Sequence, residues 1–234
     1  MSFFTIIFLC LVSILEGVVI FFLIEKKLVV CNAHGVSNLI DAISWVAVKN
    51  IIITGCYQIY FWPQNNYNPQ KLKILKATKL DNWIPAIPQA YWIYSPFYYM
   101  TFSIVMLCVE DYKIIVTNGW LMLLHACIWF ITFPTKIDKN FRKKINVVPC
   151  DKFTKYIMNM VHSHDSEGNA CPSVHCAFAI FVTFIMYPFY PLYAVIFPVL
   201  VSISCLICKQ HLIKDILPGI ALGAFHGYLA IRMS

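Results

Sequence analysis

His211 and Asp215 stand four residues apart at the start of an apolar stretch, and residues so spaced share one face of a helix. A carboxylate in that place holds one imidazole nitrogen, fixes the tautomer and leaves the other nitrogen free to attack. A second histidine, His175, ends the run Asn169-Ala170-Cys171-Pro172-Ser173-Val174-His175, a polar turn leading straight into an apolar segment. It suits a general acid that protonates a departing oxygen. The third cluster is basic: Lys136, Lys139, Arg142, Lys143 and Lys144. Cations and a helix N-terminus together would hold an anionic phosphoryl group and stabilise its transition state. A histidine nucleophile paired with a histidine acid suits phosphoryl transfer without a metal or other cofactor. Paired histidines on a membrane face also occur in transporters and metal sites, so the residues alone leave those readings open.

The elements that must position these groups are membrane helices. The 234 residues are 60% hydrophobic and only 12% charged, with a mean hydropathy of +0.70, outside the range of a soluble domain. Helices and closed barrels alone satisfy their backbone in lipid, and no alternating strand pattern suggests a barrel. The expected architecture is all-α, a polytopic transmembrane bundle of six or seven helices. A span needs about 20 mostly apolar residues. The clear candidates are Phe3 to Ile24, Ala90 to Val109, Ile114 to Pro134, Val174 to Tyr190, Leu192 to Cys208 and Leu212 to Ile231. Leu39 to Trp62 is weaker because it carries Asp41, Lys49 and Asn50, and it either spans or lies at the interface. The first segment lacks a basic leader and a small-residue cleavage site, so it reads as a retained helix. Glu16 within it reads as a helix-packing or interfacial acid.

Three polar stretches remain: Pro63 to Gln89, Thr135 to Pro172, and the join at Lys209 to His211. Counting spans brings them to one face, because the short Tyr187-Pro188 turn lies on the other. The site is expected there. The net charge of +7 sits in loops beside apolar spans. That placement favours anionic headgroups or a phosphorylated substrate over nucleic acid. The partners expected are the bilayer itself and a membrane lipid substrate. The ten cysteines are scattered. Cys205 and Cys208 read as small buried thiols, while a Cys171–Cys176 pair is left open.

Asn-Ala-Cys-Pro-Ser-Val-His and Ser204-x6-His211-x3-Asp215, followed by Ile-Leu-Pro-Gly-Ile-Ala-Leu-Gly, resemble the second and third motifs of the type 2 phosphatidic acid phosphatase superfamily. Leu80-Asp81-Asn82-Trp83-Ile84-Pro85 resembles an upstream feature of the branch that includes inositol phosphorylceramide and sphingomyelin synthases. The likeness runs from about Leu80 to the C-terminus. It divides the chain into residues 1–79, where no motif is placed, and a catalytic membrane domain over residues 80–234. The resemblance implies that His211 is the nucleophile forming a phosphohistidine, that Asp215 orients it, and that His175 protonates the leaving group. It also implies phosphate contacts from Ser173, Lys136 and Lys139. Phosphatase members carry arginine where this chain has Cys205 and glycine where it has Val174; Lys209 or Arg142 would supply the missing charge.

The remaining polar and aromatic residues have plainer readings. His162, His164 and Asp165 read as a solvated loop rather than a metal site. His125 and His226 read as packed histidines within spans, and His34 lies in an unplaced loop. Tyr91, Trp92, Tyr94, Phe97, Tyr98 and Tyr99 read as an interfacial aromatic belt. Lys71, Lys73, Lys76 and Lys79 join the basic run on the site face, which by the positive-inside rule points to the cytoplasm. The resemblance implies an extracytoplasmic or lumenal site instead. A lipid phosphatase or phosphotransferase accounts for all the motifs; a small transporter and a non-catalytic lipid-binding relative are the alternatives.

Overall fold

The structure is a computed structural model that describes residues 3–29, 36–108, 112–165 and 168–233. His34, Glu110 and Asp111 lie outside the described residues. Helices make up most of the chain. Three of them are long and apolar enough to cross a membrane, over Leu39–Gln64, Lys113–Thr132 and Ile213–Met233. With the apolar composition, this makes the chain an integral membrane protein of nearly all-α architecture.

Helices α1 (Phe3–Glu25) and α2 (Leu39–Asn66) form an antiparallel pair. The polar residues that weakened α2 as a span are all used. Asn38 caps the helix by accepting from the Asp41 amide at 3.0 Å, and the Asp41 carboxylate accepts from the Ser37 amide and hydroxyl. Asn50 donates to Ser13 at 2.8 Å, and Lys49 donates to both Glu16 oxygens at 2.8 and 2.9 Å. Ser103 adds a hydrogen bond to the same carboxylate. Unpaired, such groups are costly in hydrocarbon; paired, they join helices. Residues 39–66 are therefore one continuous helix.

The second half is built around α8 (Val174–Met186). Packed around it are α4 (Tyr98–Cys108), α5 (Tyr112–Thr132), α9 (Pro191–Ile207) and α10 (Ile213–Met233). A π-helical turn at Ile93–Phe97, which contains Pro96, leads into α4. One expected span, Val174 to Tyr190, is shorter than anticipated, and the next is offset by one residue. Helix α8 ends at Met186 before the Pro188 turn, and α9 begins on Pro191, which suits the first helical position. The tightest packing is between α8 and α10. A Cβ on Gly219 would lie 2.4 Å from the Ser173 carbonyl oxygen, and one on Gly223 would lie 2.1 Å from that of Ala177. The glycines let the two backbones touch, as small residues do between membrane helices.

The polar stretches form a layer over one end of this bundle. It holds the short helices α3 (Lys79–Trp83) and α6 (Lys139–Lys143), and the amphipathic α7 (Lys152–His164). It also contains a small departure from an all-helical fold. Strands β1 (Lys73–Leu75) and β2 (Thr135–Ile137) pair in parallel, with Ile74 opposite Lys136. All three polar stretches meet here. Lys136 bridges to Gly168, Ile213 donates its amide to Asp81, and Lys209 reaches the carbonyls of Asp81 and Ile84.

Candidate active site

Ser173 caps α8, its hydroxyl accepting from the Cys176 amide at 3.4 Å. Its own amide donates to the Asp215 carbonyl at 2.9 Å, which fixes the start of α8 against the start of α10. One residue into the helix, His175 lies half-buried between two tyrosines. Its ring stacks on Tyr94 with centroids 4.1 Å apart and is tilted against Tyr98 at 4.8 Å. Here the expected belt is corrected. Tyr91, Tyr94 and Tyr98 are buried, and only part of the run faces outward, as at Trp92. The spacing of these tyrosines around the π-helical turn puts them on one inward face, where they build the site.

His211 sits in the tight join between α9 and α10. Lys209 takes a left-handed conformation with φ of 58°, and the amides of Gln210 and His211 both donate to the Cys205 carbonyl at 3.1 Å. This folds the join back so that His211 faces His175, with ring centroids 6.1 Å apart. Asp215 is fully buried behind it. One carboxylate oxygen accepts from the Leu212 amide at 3.0 Å and lies 3.9 Å from His211 Nδ1. That separation is longer than a hydrogen bond. His211 Nδ1 and Asp215 Oδ1 are both buried without a partner. The structure thus brings the His211 ring and the Asp215 carboxylate together without closing the contact. With Nδ1 facing the carboxylate, Nε2 is the nitrogen left for chemistry.

The basic residues divide. Lys136 is on β2, half-buried, beside the loop that carries Asn169 to Ser173; the Thr135 hydroxyl accepts from the Cys171 amide at 2.9 Å. Lys139 begins α6 and is exposed. Lys209 is differently employed. It donates to the Ile84 and Asp81 carbonyls at 2.5 and 3.1 Å, and lies over the Phe141 ring at 4.9 Å. Burial, and then the neighbouring Lys144, push its ammonium below the usual lysine range, while Asp81 opposes them. Two carbonyls and a ring make it a clamp on the α3 loop.

Arg142 is buried and holds Asp165 at 3.1 Å and the Gln210 side-chain oxygen. Gln210 in turn donates to the Tyr91 hydroxyl and lies 3.0 Å from His162 Nε2, itself 2.7 Å from the same hydroxyl. His162 and Asp165 are therefore not a solvated loop. His162 belongs to the last turn of α7, and Asp165 forms an ion pair next to the candidate nucleophile. The signal was present in the sequence. Ile157, Met158, Val161 and His162 recur at helical spacing, and Ile157 and Met158 are buried. Cys171 and Cys176 are free thiols, and Cys176 Sγ instead lies 4.0 Å from Cys205 Sγ.

Two histidines that face each other, one backed by a buried carboxylate, form an arrangement that can do acid–base or nucleophilic chemistry. Residues 134–234 match the family model of the PAP2 superfamily, a stretch that runs from β2 through both histidines to the end of α10. Its members are generally phosphatases and phosphotransferases. No curated protein and no solved structure matches the chain.

Proposed function

We propose that this protein is a lipid phosphatase or phosphotransferase that works through a phosphohistidine on His211. The observation that carries the reading is the facing pair His175 and His211, 6.1 Å apart, with Asp215 buried behind His211. His211 Nε2 attacks phosphorus, and the bond from phosphorus to the lipid oxygen breaks. His175 delivers a proton to that oxygen as it leaves. Water or an alcohol then attacks the phosphohistidine, giving up its proton to His175 and restoring both histidines. Asp215 holds the His211 tautomer and offsets the charge that develops on the ring.

Phosphate binding falls to the N-terminus of α8 with Ser173, and to Lys136 and Lys139 on the rim. Lys209 takes no part, since its ammonium is held by carbonyls. Cys205 and Val174 replace the arginine and glycine of the phosphatase members, which favours a headgroup-transferring relative of the synthase branch. The bundle is read as six or seven spans, with the site on the extracytoplasmic or lumenal face.

The test is turnover by the purified protein in detergent. Phosphate release is followed on a panel of lipid phosphates, and headgroup transfer on ceramide and diacylglycerol acceptors. His211→Ala and His175→Ala are expected to lose at least about 10³-fold in rate while remaining folded. A parent inert on every substrate, or a His211→Ala variant at full rate, removes the catalytic reading in favour of lipid binding or transport.

A further inference from the structure

The candidate acid opens onto a cavity that has nothing to do with phosphate. The space lies between α2, α4, α5 and α8, and its lining is almost wholly apolar. Tyr60, Tyr98 and His175 mark one end. Phe102, Phe178 and Val182 line its length, and Gly119 leaves a gap in the α5 wall. Lys49 and Met106 mark the far end. Three of the helices agree on direction. From Tyr60 to Lys49 on α2 is eleven residues, or about 16 Å of helix. Alongside it α4 runs from Tyr98 to Met106 and α8 from His175 to Val182, about 12 and 10 Å of helix.

We infer that this cavity seats one hydrocarbon chain of the lipid whose phosphate reacts at His211, and that Lys49 and Gly119 set the length and width it admits. The inference rests on the lipid-phosphate reading of the site and adds where the chain lies. Three observations support it. The cavity reaches the reacting pair through His175, so a chain inside it is continuous with a headgroup outside. Its walls expose almost no polar surface, which suits hydrocarbon better than sugar or peptide. At the far end the Lys49 ammonium is bound by Glu16 and only 1% exposed. A chain that reached further would have to break that pair, which stops longer chains. Gly119 is the width control: a Cβ there would meet Phe178 at an ordinary 3.7 Å, so alanine fits while a large side chain fills the cavity.

Two measurements on the full-length protein test this. In the first, lipid phosphates of graded chain length are turned over by the parent, Gly119→Ala and Gly119→Trp. The parent and Gly119→Ala are expected to share one chain-length profile. Gly119→Trp should shift its preference to shorter chains by about tenfold or more, through KM. An unchanged profile in Gly119→Trp overturns the inference. In the second, an alkyl phosphate carrying a photoreactive group along its chain is crosslinked to the His211→Ala variant, and the labelled residues are mapped. Labels on Ile53, Phe102, Val116 or Phe178 are expected. Labels confined to outward residues such as Leu121, Ile128 and Val195 overturn it. The two readings fail separately. Cavity labelling without turnover of any lipid removes the catalytic proposal alone, and turnover with only outward labelling removes the chain site alone.

Discussion

Gln210 is the residue on which the polar side chains of the site converge. Its oxygen takes the Arg142 guanidinium, its nitrogen serves the Tyr91 hydroxyl, and the next residue is His211. Replacing it by alanine leaves a buried guanidinium and a buried hydroxyl each short of a partner, at about 1–3 kcal/mol of stability. The same change frees the backbone that aims His211. We expect Gln210→Ala to lower the unfolding temperature in detergent and to reduce turnover about 10–100-fold, the range for partners that orient a reacting group. Tyr91→Phe should show a smaller loss of the same sign. Stability lost with turnover intact would reduce the network to a fold element. Nothing in the sequence singles out Gln210, because a glutamine in a loop carries no spacing signal. That His175, His211 and Asp215 would meet could be read for the opposite reason: few residue types suit the chemistry proposed for them, and i, i+4 spacing is a local rule. For Lys209 the sequence offered a phosphate ligand beside His211, and what it could not show was the carbonyl partners from the α3 loop.

At the scale of elements, the α8–α10 contact decides whether the site closes. Ser173 and Asp215 are joined by a backbone hydrogen bond, and Gly219 lies one turn beyond it against the Ser173 carbonyl. Any side chain at Gly219 must push α10 away from the residue that caps α8. Gly219→Ala should cost about 1–3 kcal/mol by overpacking. It should also reduce turnover more than Gly223→Ala does, because Gly223 meets Ala177 a turn further from the histidines. Comparing turnover of the two variants with their unfolding temperatures separates displacement of the site from general loosening. Equal losses in both would remove the special place of Gly219. The long apolar helices were legible because their composition suffices. What escaped was how a helix handles an exception. The polar residues of α2 argued against a span until Glu16, Ser13 and Ser37 supplied their partners. The aromatic run read as a belt because a π-helical turn, which no local rule announces, rotates Tyr91, Tyr94 and Tyr98 inward.

Taken whole, the molecule bears on its own orientation. The lysines on the site face outnumber those the sequence places opposite, and the positive-inside rule would put that face in the cytoplasm. Several of those lysines are committed to the fold. Lys144 donates to the Asn82 side chain at 2.7 Å, Lys214 to the Lys76 carbonyl at 2.6 Å, and Lys209 to Asp81 and Ile84. Their presence is explained by the layer they stitch together. The continuous α2 also moves charge to the other side. The antiparallel pairing of Ser13 with Asn50 and Glu16 with Lys49 places the end of α1, with exposed Lys26 and Lys27, opposite the site. Lys113 and Arg232 join them there, at the start of α5 and the end of α10. The site face still carries more cations than these four, so the count keeps pointing to the cytoplasm, and the proposed extracytoplasmic placement rests on the resemblance. On the proposed extracytoplasmic placement, a membrane-impermeant amine reagent applied to intact cells is expected to modify the exposed Lys139 and to reach Lys26 and Lys27 only after permeabilisation. The reverse pattern would place the histidines in the cytoplasm, and the lipid that reaches them would then have to be one presented by the inner leaflet.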